Sequence, residues 1–160
     1  MKGRIAAIFL VMIFLVTACN DDMVYSRYED VDLAGWDSHD TMSFETRPLT
    51  GNGLYNLSLG LKTGNNFPYK NVTIIVQQTV FPSRRTFTDT LECRLYDDEG
   101  RMLGNGIGSH QYLFDIASRN FHNGDSLHIT IHHNMKRELL PGIGSVGIEI
   151  KKTTQHASHR

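Results

Sequence analysis

The chain is poor in cysteine, with two in 160 residues, so a disulfide-stapled fold is excluded. It has no surplus of charge: 16 Lys and Arg stand against 17 Asp and Glu. Without a clustered cationic excess there is nothing to hold a phosphate backbone, and nucleic acid is not expected as a partner. No apolar run reaches the roughly 20 residues that a helix needs to cross about 30 Å of hydrocarbon. Internal repeats and low-complexity tracts are absent. So are the G-x-S-x-G, H-E-x-x-H, C-x-x-C and calcium-loop patterns. What is present, 40% hydrophobic and 21% charged residues, is the composition of one ordinary globular domain. A chain of this length buries about two thirds of its unfolded surface in a single core, and a second domain would not fit.

The N-terminus stands apart from that domain. Lys2 and Arg4 precede an almost unbroken apolar run from Ile5 to Val16, closed by Thr17-Ala18. This predicts a signal peptide over residues 1–18. Leu15-Val16-Thr17-Ala18-Cys19 resembles a bacterial lipobox, which places cleavage between Ala18 and Cys19 and a diacylglycerol thioether on Cys19. The alternative is an ordinary signal peptide whose first mature residue happens to be Cys. Acyl chains contribute about 0.8 kcal/mol per buried CH₂, and two or more hold a protein stably on a membrane that it does not cross. No cofactor is expected beyond that lipid. Removal of Lys2 and Arg4 leaves 14 basic against 17 acidic side chains.

With Cys19 acylated, Cys93 has no partner for a disulfide. It alternates with Phe87, Asp89, Leu91 and Leu95, the pattern of a small apolar residue facing the core of a strand. A catalytic thiolate would want a His or Lys beside it, and none is near in sequence.

Between Asp21 and Glu45 the acids Asp21, Asp22, Glu29, Asp30, Asp32, Asp37, Asp40 and Glu45 face the single base Arg27. Residues 19–40 therefore read as a solvated acidic lead-in, with one edge strand at Val24–Tyr28 and a turn at Gly35-Trp36-Asp37. From Thr41 the apolar period is two, which predicts strands at Leu54–Lys62, Val72–Thr79 and Phe87–Tyr96, around Leu127, Ile129 and Ile131, and around Val146, Ile148 and Ile150. Val72–Thr79 and Phe87–Tyr96 are expected to pair as a hairpin. Asn134 to Leu140 reads as a short helix stopped by Pro141-Gly142. The expected fold is all-β, an antiparallel β-sandwich over residues 41–152, with the jelly roll as one form of it, followed by a fraying tail at 153–160.

The candidate chemistry is thin. His128 and His132 share a strand face but lie four residues, about 13 Å, apart, too far to ligate one ion, and His133 faces the other way. A metal site would need His110 or His122 to approach from elsewhere, and no metal is expected. The glycines from Gly100 to Gly108 suggest a phosphate loop, but no helix follows them, so they read as strand glycines that permit bulges and close backbone approach. No catalytic residue is nominated, and the chain is read as a non-enzyme.

Several short segments in order carry a resemblance. They are the lipobox ending at Cys19, Gly35-Trp36-Asp37, Tyr55-Asn56-Leu57, Phe67-Pro68-Tyr69-Lys70-Asn71-Val72, Asp89-Thr90-Leu91, the run Gly100 to Gly108, Met135-Lys136-Arg137, Leu140-Pro141-Gly142-Ile143 and Val146-Gly147-Ile148. Together they resemble the gliding motility lipoprotein GldH family of Bacteroidota. Met102 departs from the Trp, and Lys62 from the Arg, often found in that family. The resemblance implies a lipid-anchored outer-membrane protein that supports gliding or the linked secretion machinery as an assembly subunit. Its partners would be the membrane and other envelope proteins. Asn20-Asp21-Asp22 looks like the acidic signal that exports such lipoproteins to the surface; the leaflet stays open. Trp36, Phe67 and Tyr69 are the aromatic anchor candidates for a partner, with core packing as the alternative. A surface carbohydrate-binding lipoprotein is the second functional reading, and it would need Trp36 and tyrosines exposed as a platform.

Overall fold

A computed structural model describes residues 22–153. The expected signal peptide, Ala18 and Cys19 lie outside the described residues. Ten strands follow one another, β1 (Met23–Asp30), β2 (Trp36–Asp37), β3 (Met42–Glu45), β4 (Gly53–Gly64), β5 (Asn71–Phe81), β6 (Arg85–Arg94), β7 (Ser109–Phe121), β8 (Ser126–His133), β9 (Leu139–Leu140) and β10 (Ile143–Lys152). They form two four-stranded antiparallel sheets, β1-β10-β4-β7 and β3-β8-β5-β6, plus the small β2-β9 pair. The long strands pair as one nested hairpin, β1 with β10, β3 with β8, β4 with β7 and β5 with β6. That hairpin rolled into two facing sheets is a jelly roll.

The inward rows are the alternating apolar residues. Tyr55, Leu57, Leu59 and Leu61 of β4 meet Val72, Ile74, Val76 and Val80 of β5, all at most 1% exposed. Burying such a face contributes roughly 25 cal/mol per Å² of apolar surface, so period-two patterning fixes which face turns in. Cys93 sits in this core, and burial pushes its thiol up to about 12, which keeps it protonated.

Four expectations change. Asn134–Leu140 forms no helix; among the described residues there is none. Asn134 N–H donates to the Thr73 carbonyl at 2.8 Å and Ser38 N–H to the Glu138 carbonyl at 2.8 Å, and Leu139–Leu140 pairs with Trp36–Asp37. Two turns of helix do not hold themselves in water, and pairing across the chain wins. The described part of the acidic lead-in is also inside the fold, because β1 pairs with β10 along its length. The run Gly100–Gly108 is a loop rather than a strand. Gly106 there has φ of 136°, and a Cβ would collide with the Ser109 carbonyl. Finally, β7 is a 13-residue strand that the alternation of side chains does not announce.

The reason lies in a bulge. Opposite Leu57 and Ser58 the register of β7 shifts between Asp115 and Ala117, leaving Ile116 as the extra residue and reversing the parity beyond it. Tyr112 and Phe114 face inward before the bulge, and Ala117, Arg119 and Phe121 after it. Arg119 is thus an inward arginine. It donates to Asp89 at 2.6 Å and to Gln78 at 3.1 Å, while Gln78 donates to Asp89 at 2.7 Å. Its guanidinium lies 4.1 Å from the Phe87 ring centre. This cluster clamps the β7 edge of one sheet to the β6 edge of the other.

Candidate functional site

The sandwich has two unlike ends. At one, the base, lie the first and last described residues and the short turns 46–52, 82–84 and 122–125. Lys152 N–H donates to the Asp22 carbonyl at 2.8 Å there. At the other, the loop end, gather the connections 31–41, 65–70, 95–108 and 134–142. All three aromatic candidates are on the loop end, and so are most of the short segments that carry the family resemblance.

Trp36 plugs that end. Its indole is fully buried, donates to the Asp40 carbonyl at 2.9 Å and packs edge-on against His133 with ring centres 5.2 Å apart. His133 Nε2 meets the Trp36 carbonyl at 3.1 Å and its Nδ1 accepts the Met135 N–H at 3.4 Å. One nitrogen donates and the other accepts, which is the neutral imidazole. Burial holds the His133 pKa below its usual range. Trp36 is therefore a core residue rather than a surface anchor, and it offers no platform for a sugar.

Phe67 is also buried, at 3% exposure, beneath the half-buried Tyr69, whose ring lies 5.7 Å away edge-on. Tyr96 donates to the Phe67 carbonyl at 3.0 Å. Tyr69 and Tyr96 wall a shallow depression of about 290 Å³ with Pro68, Lys70 and Gly100. Of the three candidates only Tyr69 reaches the surface.

The residues that present apolar surface at this end were not among those the sequence singled out. Leu33 and Ile107 are fully exposed, Leu103 is half exposed and Leu139 is partly exposed, each on one of the loop-end connections. Large apolar side chains held in water on ordered loops mark interaction sites when they gather. The loops under them are fixed by polar bonds. Asp97 accepts the Arg101 N–H at 2.8 Å and pairs with its guanidinium at 2.7 Å, and that N–H holds the Asp97 carboxyl below the usual carboxylate range. Asp37 is lowered likewise by the N–H and ring of His39. Arg94 pairs with Asp98 at 2.7 Å.

The remaining histidines stay apart. His128 on the outer face of its sheet bonds Ser43 at 2.9 Å, and His110 meets Asn65 at 3.0 Å. His122 stands beside Asp125 in a base turn. Among the described residues no group of three or more His, Cys, Asp or Glu converges as metal ligands would. A separate groove of about 520 Å³ opens at the side of the sandwich between β1 and the turn after β3, lined by Tyr25, Arg27, Glu45, Arg47 and Leu49.

Comparison with known proteins bears on this arrangement. The chain is 31% identical over 107 residues to the gliding motility lipoprotein GldH of Flavobacterium johnsoniae, covering 67% of this chain and 66% of that protein. It is 26% identical over 155 residues to a gliding motility lipoprotein GldH homolog of Christiangramia forsetii, covering 91% of this chain and 94% of that one. Among solved structures it is similar to the family GH115 4-O-methyl-alpha-glucuronidase BtGH115A at a TM-score of 0.46 and 10% identity, over 82% of this chain and 18% of that chain, a level that carries no functional argument. The family profile described as GldH lipoprotein matches residues 23–150, from the first strand to the last. The chain belongs to the GldH lipoprotein family.

Proposed function

We propose that this protein is an outer-membrane lipoprotein of the gliding motility or linked secretion machinery, held by acyl chains on Cys19, and that it works as a non-catalytic docking subunit. The observation that carries the reading is the segregation of the two ends. The chain leaves the fold at the base, four residues after Cys19, so an anchor there directs the loop end away from the bilayer. Exposed Leu33, Leu103, Ile107 and Leu139 then face an envelope protein rather than lipid. The names of the relatives in Flavobacterium johnsoniae and Christiangramia forsetii support the process. In support of docking rather than catalysis, the titratable groups Asp37, Asp97 and His133 at this end are taken up in bonds that fix its loops.

The test is affinity capture from detergent-solubilised membranes, with partners identified by mass spectrometry. The native protein should bring down one or a few envelope proteins. Ile107→Asp, at a fully exposed site, should lose them while staying folded, and Cys19→Ala should lose membrane attachment. If no envelope protein is recovered, or Ile107→Asp recovers the same set, the docking reading fails.

A further inference from the structure

We infer that the base is a second membrane-binding element, a cationic surface that seats on anionic lipid headgroups. The inference rests on the anchor proposed at Cys19 for its orientation and adds a contact that the anchor does not supply. Arg47, Arg84, Arg85, Lys151 and Lys152 all lie at this end, in or beside the base turns and at the last strand's end. Among the described residues none of them makes a salt bridge; at the loop end Arg94 and Arg101 are paired to Asp98, Asp97 and Glu99, while the exposed Lys70, Lys136 and Arg137 stand among the acids of its connections. Lys152 spends one donor on the Thr50 carbonyl at 3.2 Å, and Arg84 and Arg85 are exposed on the tight turn 82–84.

The opposing charge at this end is three carboxylates, Asp22, Glu45 and Asp125, against the five cations. The Asp125 carboxylate is turned into its own loop, accepting the His122 N–H at 2.8 Å, and Asp125 is 8% exposed. Glu45 is the exposed carboxylate beside Arg47. Phe81, 41% exposed next to Arg84 and Arg85, and Val24, 40% exposed near the chain's entry, add apolar surface among the cations. An exposed aromatic beside unpaired arginines suits a boundary where one side is charged and the other is apolar.

Chain length brings this surface to the bilayer. At no more than about 3.6 Å per residue, the four steps from Cys19 to Met23 hold the base within about 14 Å of the acylated sulfur. The Debye length at physiological salt is about 8 Å, and a tether of this maximum reach lets the base approach the headgroups to within it. Each cation near an anionic surface is worth about 1 kcal/mol, a factor of about five in binding. An acyl anchor joined to a cationic patch also limits the tilt of the domain and so fixes where the loop end points.

The experiment uses the full-length protein isolated from cells with its own lipid, mixed with vesicles of phosphatidylcholine alone or with about one third phosphatidylglycerol. Flotation reports attachment. A dye at Thr50→Cys on the base or at Ile107→Cys on the loop end, read against a headgroup quencher, reports which end touches lipid; the buried Cys93 thiol, its pKa pushed up to about 12, does not compete for the label. The expected result is flotation on both vesicles, quenching at position 50 on anionic vesicles only, its loss at about 0.5 M salt, and silence at position 107. Replacing Arg84, Arg85 and Lys151 by Gln should lower the ratio of docked to undocked protein about 100-fold.

Quenching at 50 that ignores lipid charge, or quenching at 107, overturns the inference. Flotation on anionic vesicles alone supports the cationic surface and removes the anchor; flotation on neither removes both. A base that instead binds an acidic protein would show no quenching at 50 in these protein-free vesicles, which also overturns it.

Discussion

The loop end and the base are closed by the same device and finished with opposite surfaces. Each has a large buried aromatic against a second ring: Trp36 against His133 at 5.2 Å above, Tyr55 against Phe121 at 5.8 Å below. Each aromatic also donates to the backbone of the loop that covers it, Trp36 to the Asp40 carbonyl, and Tyr55 through its one hydroxyl proton shared between the Thr50 and Gly51 carbonyls. Outside these plugs the likeness ends. The loop end ties Arg94 and Arg101 to carboxylates and leaves Leu33 and Ile107 fully in water, whereas the base gathers five cations that make no salt bridge among the described residues. Aromatic plugs are what the jelly roll requires to seal either end; the surface chemistry above them is free to differ, and that is where function is written.

The largest expected effect breaks the upper plug. Trp36→Ala should cost about 3–5 kcal/mol in denaturant unfolding followed by circular dichroism, the range for removing a large buried aromatic. A cost under about 1 kcal/mol would mean the loop end is not part of the cooperative core. Next comes the clamp between the ends. Arg119→Ala leaves Asp89 and Gln78 without their partner, and because Arg119 and Asp89 keep 20% and 25% of their side-chain surface exposed, the expected cost is about 2 kcal/mol, below that of a fully buried pair. The lower plug is probed more gently by Tyr55→Phe, which keeps the ring and removes the one hydroxyl proton shared between the Thr50 and Gly51 carbonyls, for about 1 kcal/mol.

The smallest effect separates the ends by pH. His133 is buried neutral, and burial holds its folded-state pKa below the usual 6.5 of a histidine. The unfolded chain therefore binds more protons in the interval between the two values. Its contribution to stability is complete above about 6.5 and is lost as pH falls through the folded-state pKa. Hydrogen exchange should show protection around Trp36 and Leu140 falling on mild acidification, while Tyr55 and Phe121 at the base hold theirs. Equal loss at both ends would tie the effect to some other group.

The two sheets were legible because five inward rows alternate cleanly, from Tyr55-Leu57-Leu59-Leu61 to Val146-Ile148-Ile150. Strand β7 was not, since the bulge at Ile116 reverses its parity and puts Arg119, a charged residue, on the inward side. The segment before β9 misled for a different reason. Local helical preference in Asn134–Leu140 is outweighed by pairing to Trp36–Asp37, just over a hundred residues earlier, beside the His133 to Trp36 bond across a separation of 97 positions. That same distant pairing hides Trp36, which composition alone leaves free to be on the surface. The exposed Leu33 and Ile107 carried no signal, because a lone apolar residue in a loop looks the same whether it turns in or out. Clustering of cations at the base follows from topology, which brings positions 47, 84, 85, 151 and 152 to one end.

The most direct measurement of the claim that the two ends have different partners is photo-crosslinking in intact envelopes, with the reactive group placed at position 107 or at position 50. The account predicts that position 107 crosslinks to a discrete envelope protein and position 50 to lipid. Lipid adducts at 107, or the same protein adduct from both positions, would contradict it.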